Sequence, residues 1–243
     1  MRLDYNTLLV VALWLLFFSN FIVLLKPGEG LLFLGRQGAS VYVPSWRAAF
    51  GGRLLVWFNP LRSLTPVTRL QVFGAQDAGT LGQLAEGEAR IATLLDRLGP
   101  LALGAAISIA WFLPAALLRH WGPGYLLGSL LLAYGLHLAV LLLGWRQHKR
   151  EPLPAGSGAI GLEALCCLPY AAQLPRRISF LALPSISLAE LLASDRAIVA
   201  ADLAPLRERI ADYRAVVDEP QQAVLLDTLT ALIDQRIAKE TAA

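Results

Sequence analysis

Two apolar runs, residues 99–118 and 124–145, contain no Asp, Glu, Lys or Arg, and only Arg119-His120-Trp121-Gly122-Pro123 separates them. A helix needs about 20 apolar residues to cross roughly 30 Å of hydrocarbon, so each run is long enough to span a bilayer. The short linker makes the two spans antiparallel neighbours. The rest of the chain agrees: 56% of its 243 residues are hydrophobic and 16% charged, with a mean hydropathy of +0.55. That is too apolar for an ordinary soluble domain.

A third apolar run, residues 7–25, lies near the N-terminus. It exceeds the length of a signal-peptide core, and no small-x-small cleavage site precedes Lys26. An uncleaved anchor helix is the better reading. Pro27-Gly28-Glu29-Gly30 ends it. The expected fold class is therefore membrane α-helical, with three transmembrane helices at 7–25, 99–118 and 124–145 after a tail at 1–6.

Between the first two spans, residues 26–98 have room for a small β or α+β subdomain. Strand-like runs at 31–34, 40–43, 54–58 and 67–73 are separated by Gly35-Arg36-Gln37-Gly38, Gly51-Gly52, Asn59-Pro60 and Thr65-Pro66. This is turn chemistry, and it predicts an antiparallel sheet. Thr80 and Gln83 have capping-box spacing and open an amphipathic helix to Leu98, with Leu84, Ile91, Leu95 and Leu98 on one face. The helix is expected to turn into the next span at Gly99-Pro100.

Arg36, Arg47, Arg53, Arg62 and Arg69 interleave with Tyr42, Trp46, Phe50, Trp57 and Phe58. Aromatic rings favour the headgroup layer and Arg meets phosphate there, so these arginines are candidate lipid- or phosphate-binding residues. A subdomain core of aromatics with solvated arginines fits the same pattern equally well.

Gly104 and Ser108 in the second span, and Gly128 and Gly135 in the third, are small residues that let helices approach closely. Pro114 is a candidate kink. Trp121 and Trp145 bracket the third span as interface anchors. Eight Lys or Arg lie in 26–98, and Arg146, Lys149 and Arg150 follow the third span, against Arg2 in the tail and Arg119 in the linker. The positive-inside rule then puts the N-terminus and the hairpin tip outside, and 26–98 and the C-terminus in the cytoplasm. The richness in Leu, Ala, Arg, Gly and Pro with little Lys fits a GC-rich bacterial source, and the expected location is the bacterial inner membrane. Residues 146–186 read as a basic linker followed by an interfacial segment. Residues 187–243 read as a helical C-terminal region, with Ser187 and Glu190 spaced as a capping box and Asp202 as a further cap. Helices this short need the sheet or a partner to pack on.

Chemistry is sparse. His137 lies in mid-span near Tyr134, and an ionisable residue in hydrocarbon is a functional lead. His120 and His148 sit near the opposite ends of the same span, so a neutral histidine bonded to another helix is favoured over a haem or metal site. Cys166-Cys167 lacks the companions of a zinc site, and inert thiols are expected. No P-loop, GxGxxG, HExxH, GxSxG or CxxC occurs. Neither metal nor cofactor is expected, nor is a nucleic-acid partner, because the net charge of +3 fits cytoplasmic loops.

The function expected is that of a non-catalytic accessory or scaffold subunit presenting cytoplasmic modules. A protein partner, or a second copy of the chain, would bind through the spans or the C-terminal helices. One alternative is a membrane enzyme or binding protein for a lipid-linked phosphate, with Arg36, Arg47, Arg53 and Glu163 nearest the chemistry. An oligomeric channel or transporter is another.

Overall fold

The computed structural model describes residues 4–35, 38–45, 49–50, 53–58, 65–74, 80–150, 156–166, 170 and 173–242. They cluster into two compact units. The first comprises residues 1–22, 57–64 and 91–182, and the second residues 23–56, 65–90 and 183–243.

The first unit is helical. α1 (Tyr5–Ser19) has 15 residues. At 1.5 Å per residue it is about 22 Å long, short of the roughly 30 Å a span needs. It stops where Ser19 Oγ and Asn20 Nδ2 both donate to the Leu16 carbonyl, at 3.0 and 2.8 Å. The chain then extends into a strand at Ile22–Leu25. The three-span fold is thus corrected. The run 7–25 divides into a short helix and a strand, because two small polar side chains compete for the carbonyl of the last turn. Among the described residues two helical stretches, Leu81–Leu118 and Pro123–Lys149, are long and apolar enough to cross a membrane.

The first of these is α2 (Leu81–Ile107), a π turn (Ser108–Phe112) and α3 (Leu113–Leu118). α2 runs through Gly99-Pro100 without the expected break. The irregularity lies instead before Pro114. The α-helical donor for the Ala110 carbonyl would be the N–H that Pro114 lacks. The chain shifts to π geometry there, and Trp14 Nε1 of α1 donates to the Ala110 carbonyl at 3.0 Å.

The partner helix is α4 (Pro123–Arg150). Phe17, Phe21, Ala106, Ile109 and Ala133 form a buried cluster, with Phe17 and Phe21 edge to face at 5.0 Å. At Gly104 a Cβ would approach Leu136 to 3.3 Å, so close packing of α2 on α4 uses that glycine. Gly128 and Gly135 have nothing within 4 Å, so no described neighbour uses them for close approach. α5 (Ser157–Cys166) and α6 (Leu174–Ala182) also belong to the unit.

The second unit is built on a four-stranded sheet. β1 (Ile22–Leu25), β5 (Arg53–Trp57) and β4 (Ala49–Phe50) form a separate three-stranded sheet in that order. β2 (Glu29–Gly35), β3 (Gly38–Tyr42), β6 (Val67–Gln71) and β7 (Ile186–Ser187) are ordered β3-β2-β6-β7. β2 pairs antiparallel with β3 and β6, while β7 joins β6 in parallel. Gly28 (φ +81°) makes the turn into β2, where a Cβ would strike the Phe73 ring at 2.3 Å.

Of the C-terminal helices, α7 (Leu188–Ala193) packs on β7 and α8 (Ala200–Arg214) on β3, while α9 (Pro220–Ala242) packs against α7 and α8. Leu206, Ile210 and Tyr213 of α8 are buried, as are Leu226, Leu229 and Ile233 of α9.

Two side chains assigned to caps by spacing act elsewhere. Glu190 Oε1 accepts the Leu81 N–H at 3.0 Å, placing its charge at the start of α2. Asp202 Oδ2 accepts the Val41 N–H of β3 at 3.0 Å. Thr80 and Gln83 do form the reciprocal box, at 3.1 and 3.3 Å. Thr80→Ala is expected to cost about 1 kcal/mol. In a chain of this size that lowers Tm by roughly 2–4 °C. Thermal unfolding of the two proteins side by side checks it, and an unchanged Tm would mean the box contributes nothing.

Candidate functional site

Of the arginines proposed for phosphate binding, Arg36, Arg47 and Arg62 lie outside the described residues. Arg53 and Arg69 are exposed and sit on different sheets. Arg69 Nη1 lies 3.7 Å from Glu29 Oε1, and the other oxygen of that carboxylate accepts the Lys26 N–H at 2.8 Å. This pairing ties β6 to the turn that opens β2.

Glu163 of α5 pairs with Arg177 of α6 at 2.5 Å. Tyr134 is exposed, whereas His137 on the same helix is buried. The backbone of Ala164 in α5 lies beside the His137 ring. Cys166 ends α5, and Cys167 lies outside the described residues. Among the described residues no three His, Cys, Asp or Glu side chains are grouped to hold a metal.

Among the described residues of the first unit, five polar side chains are buried: Ser108, His137, Gln173, Arg176 and Ser179. Ser108 is satisfied by its own helix, donating to the Gly104 carbonyl at 2.9 Å.

Arg176 has the most unusual surroundings. It lies in the first turn of α6 and is only 5% exposed. Its Nη2 donates to the Asn20 carbonyl at the end of α1 (2.8 Å) and to Gln173 Oε1 (2.6 Å). A cation at a helix C-terminus is favourable, which explains one of these bonds. The guanidinium carbon lies 4.9 Å from the centre of the Phe58 ring and 6.0 Å from that of Phe21.

Nε and Nη1 of Arg176, Nε2 of Gln173 and Oγ of Ser179 are buried without a hydrogen-bond partner among the described residues. Burial, reinforced by the neighbouring Arg177, lowers the Arg176 pKa to about 10. A buried charge with no counter-ion costs several kcal/mol, and orphaned buried donors are rare in native proteins.

Sequence reasoning missed this cluster. In the sequence Arg176-Arg177 is only a basic pair after Pro175. Neighbours on a helix point about 100° apart, so one of two adjacent arginines can turn inward while the other pairs at the surface. Nothing in the pair itself says which.

A groove of about 290 Å³ lies between α4, α5 and α6, lined by Leu141, Trp145, Leu174 and Ile178 with His148 and Ser157 at its polar positions. Leu174 and Ile178 share one face of α6, and Arg176 and Ser179 lie on the opposite one.

No known protein family matches this chain, and comparisons with curated proteins and with solved structures give no significant match.

Proposed function

We propose that this chain is an integral membrane protein with two spans, acting as a non-catalytic accessory or scaffold subunit. Its sheet-and-helix unit would be offered to a partner at the bilayer surface. One observation carries the membrane assignment. The apolar window of α4 is only 17% buried, against 44% for the stretch 81–118. A helix that is apolar yet buried in a soluble core would be mostly covered. α4 instead leaves Leu127, Leu131, Leu138 and Leu142 more than half exposed. A surface of this kind needs lipid or another helix against it.

The ends of α4 support the same reading. Arg119 lies over the Trp121 ring at 5.7 Å, and Lys149 lies over Trp145 at 4.0 Å. Amphipathic aromatics with cations at both ends suit the two headgroup layers. By the Lys/Arg count, the hairpin tip with Arg119 faces outward from a bacterial inner membrane. The ends bearing Arg97, Arg146 and Lys149 face the cytoplasm.

Affinity purification in mild detergent, with mass spectrometry of co-purified protein and lipid, tests the role. A stoichiometric protein partner is expected. Recovery of the chain alone and monomeric would defeat the accessory reading.

A further inference from the structure

We propose that Gln173, Arg176 and Ser179 form a binding site for a phosphate-type oxyanion, free or carried on a lipid headgroup. A guanidinium has five N–H donors and no acceptor. The two on Arg176 Nη2 are satisfied, leaving three on Nε and Nη1 with no acceptor among the described residues. Gln173 Nε2 adds two more donors, because its Oε1 is already committed to Arg176. Ser179 Oγ is the remaining group, three residues along α6 and wholly buried. The cluster is therefore rich in donors and poor in acceptors. A neutral ligand would satisfy the hydrogen bonds but not the charge.

Among the described residues no counter-ion pairs with that charge. The described acids of this unit are Asp4, Asp96 and Glu163. None of them pairs with Arg176, and Glu163 is held by Arg177. The next residue along is itself a cation. Phe21 and Phe58 flank the guanidinium and exclude water, which strengthens its attraction for an anion. Gln173 and Arg176 also sit at the positive end of α6, where anions are favoured. The depressed Arg176 pKa is what a cation without its counter-ion shows. This inference stands apart from the accessory role, and either can fail without the other.

The test uses the delipidated full-length chain in mild detergent, with unfolding followed by tryptophan fluorescence. In one arm inorganic phosphate replaces chloride at constant ionic strength. In the other the chain is placed in phosphatidylcholine nanodiscs with or without phosphatidylglycerol. The site predicts a saturable rise of several degrees in apparent Tm. A rise with inorganic phosphate identifies a free ion, and a rise only with phosphatidylglycerol identifies a headgroup.

Gln173→Glu supplies the missing negative charge from within. It is expected to raise Tm without added anion and to abolish the response. If that variant does not fold, Arg176→Lys keeps the charge with fewer donors and should raise the half-saturating concentration at least tenfold. No Tm change in either arm would overturn the proposal. So would a response that survives unchanged in whichever of the two variants folds.

Discussion

Arginine placed at both Leu131 and Leu138 of α4 is expected to drive the chain out of the membrane. The two side chains are 63% and 51% exposed and lie seven residues apart, on one face near the middle of the helix. At the centre of a span each arginine costs about 2.5–3.5 kcal/mol on the insertion scale, so the pair costs roughly 6 kcal/mol. That exceeds what snorkelling near helix ends recovers. Alkaline carbonate extraction should move the double variant from the pellet to the supernatant or to aggregates.

Val224→Arg is the control. Val224 is 66% exposed on α9 of the other unit, where the side chain meets water, and the change should stay within about 0.5 kcal/mol. If the double α4 variant fractionates as Val224→Arg does, the apolar face of α4 does not contact lipid.

The second large effect is expected at Tyr213. Its side chain is fully buried in the unit formed by the sheet and the C-terminal helices, with its ring edge to face against Phe73 at 5.8 Å. Tyr213→Ala should cost about 3–5 kcal/mol, the usual loss for a buried aromatic. Cooperative unfolding of that unit should disappear near 37 °C.

Tyr213→Phe keeps the ring and separates the hydroxyl. Burial pushes the phenol pKa above 10, against the opposing hydrogen bond to the Gly28 backbone. The folded state therefore keeps its proton where the unfolded chain releases it. The native advantage is complete below pH 10 and is lost as pH rises towards the folded pKa. Urea unfolding should show stability falling above pH 10 in the native protein. The slope should be shallower in Tyr213→Phe, and equal slopes would mean the phenol titrates normally.

Local chemistry was readable wherever a few neighbouring residues decide the outcome. The strands at 31–34, 40–43, 54–58 and 67–73 agree with β2, β3, β5 and β6 to within a few residues. Alternation and turn residues act over short distances. The Thr80–Gln83 box formed because both partners lie within one turn.

Longer reach defeated the same reasoning. Glu190 and Asp202 have capping spacing, but their carboxylates satisfy backbone N–H groups more than 100 residues away. An orphan N–H will take whichever acceptor the fold delivers. β7 has two residues and no pattern of its own, and it is a strand only because β6 offers an unpaired edge.

The sequence by itself determined that two uncharged apolar stretches joined by five residues form an antiparallel helical pair. It also determined the Thr80–Gln83 capping box that opens α2. Those outcomes follow from hydrophobicity, helix length and backbone sterics, which are local properties. Ser19 and Asn20 end α1 locally, but tertiary structure alone decided that the residues after them form a strand, because a strand needs a partner edge that composition does not reveal. It alone turned Arg176 inward between two phenylalanines and Arg177 outward to Glu163. The burial of a charge depends on what surrounds it in space, and residues 20, 21 and 58 converge on Arg176 only after the chain has folded.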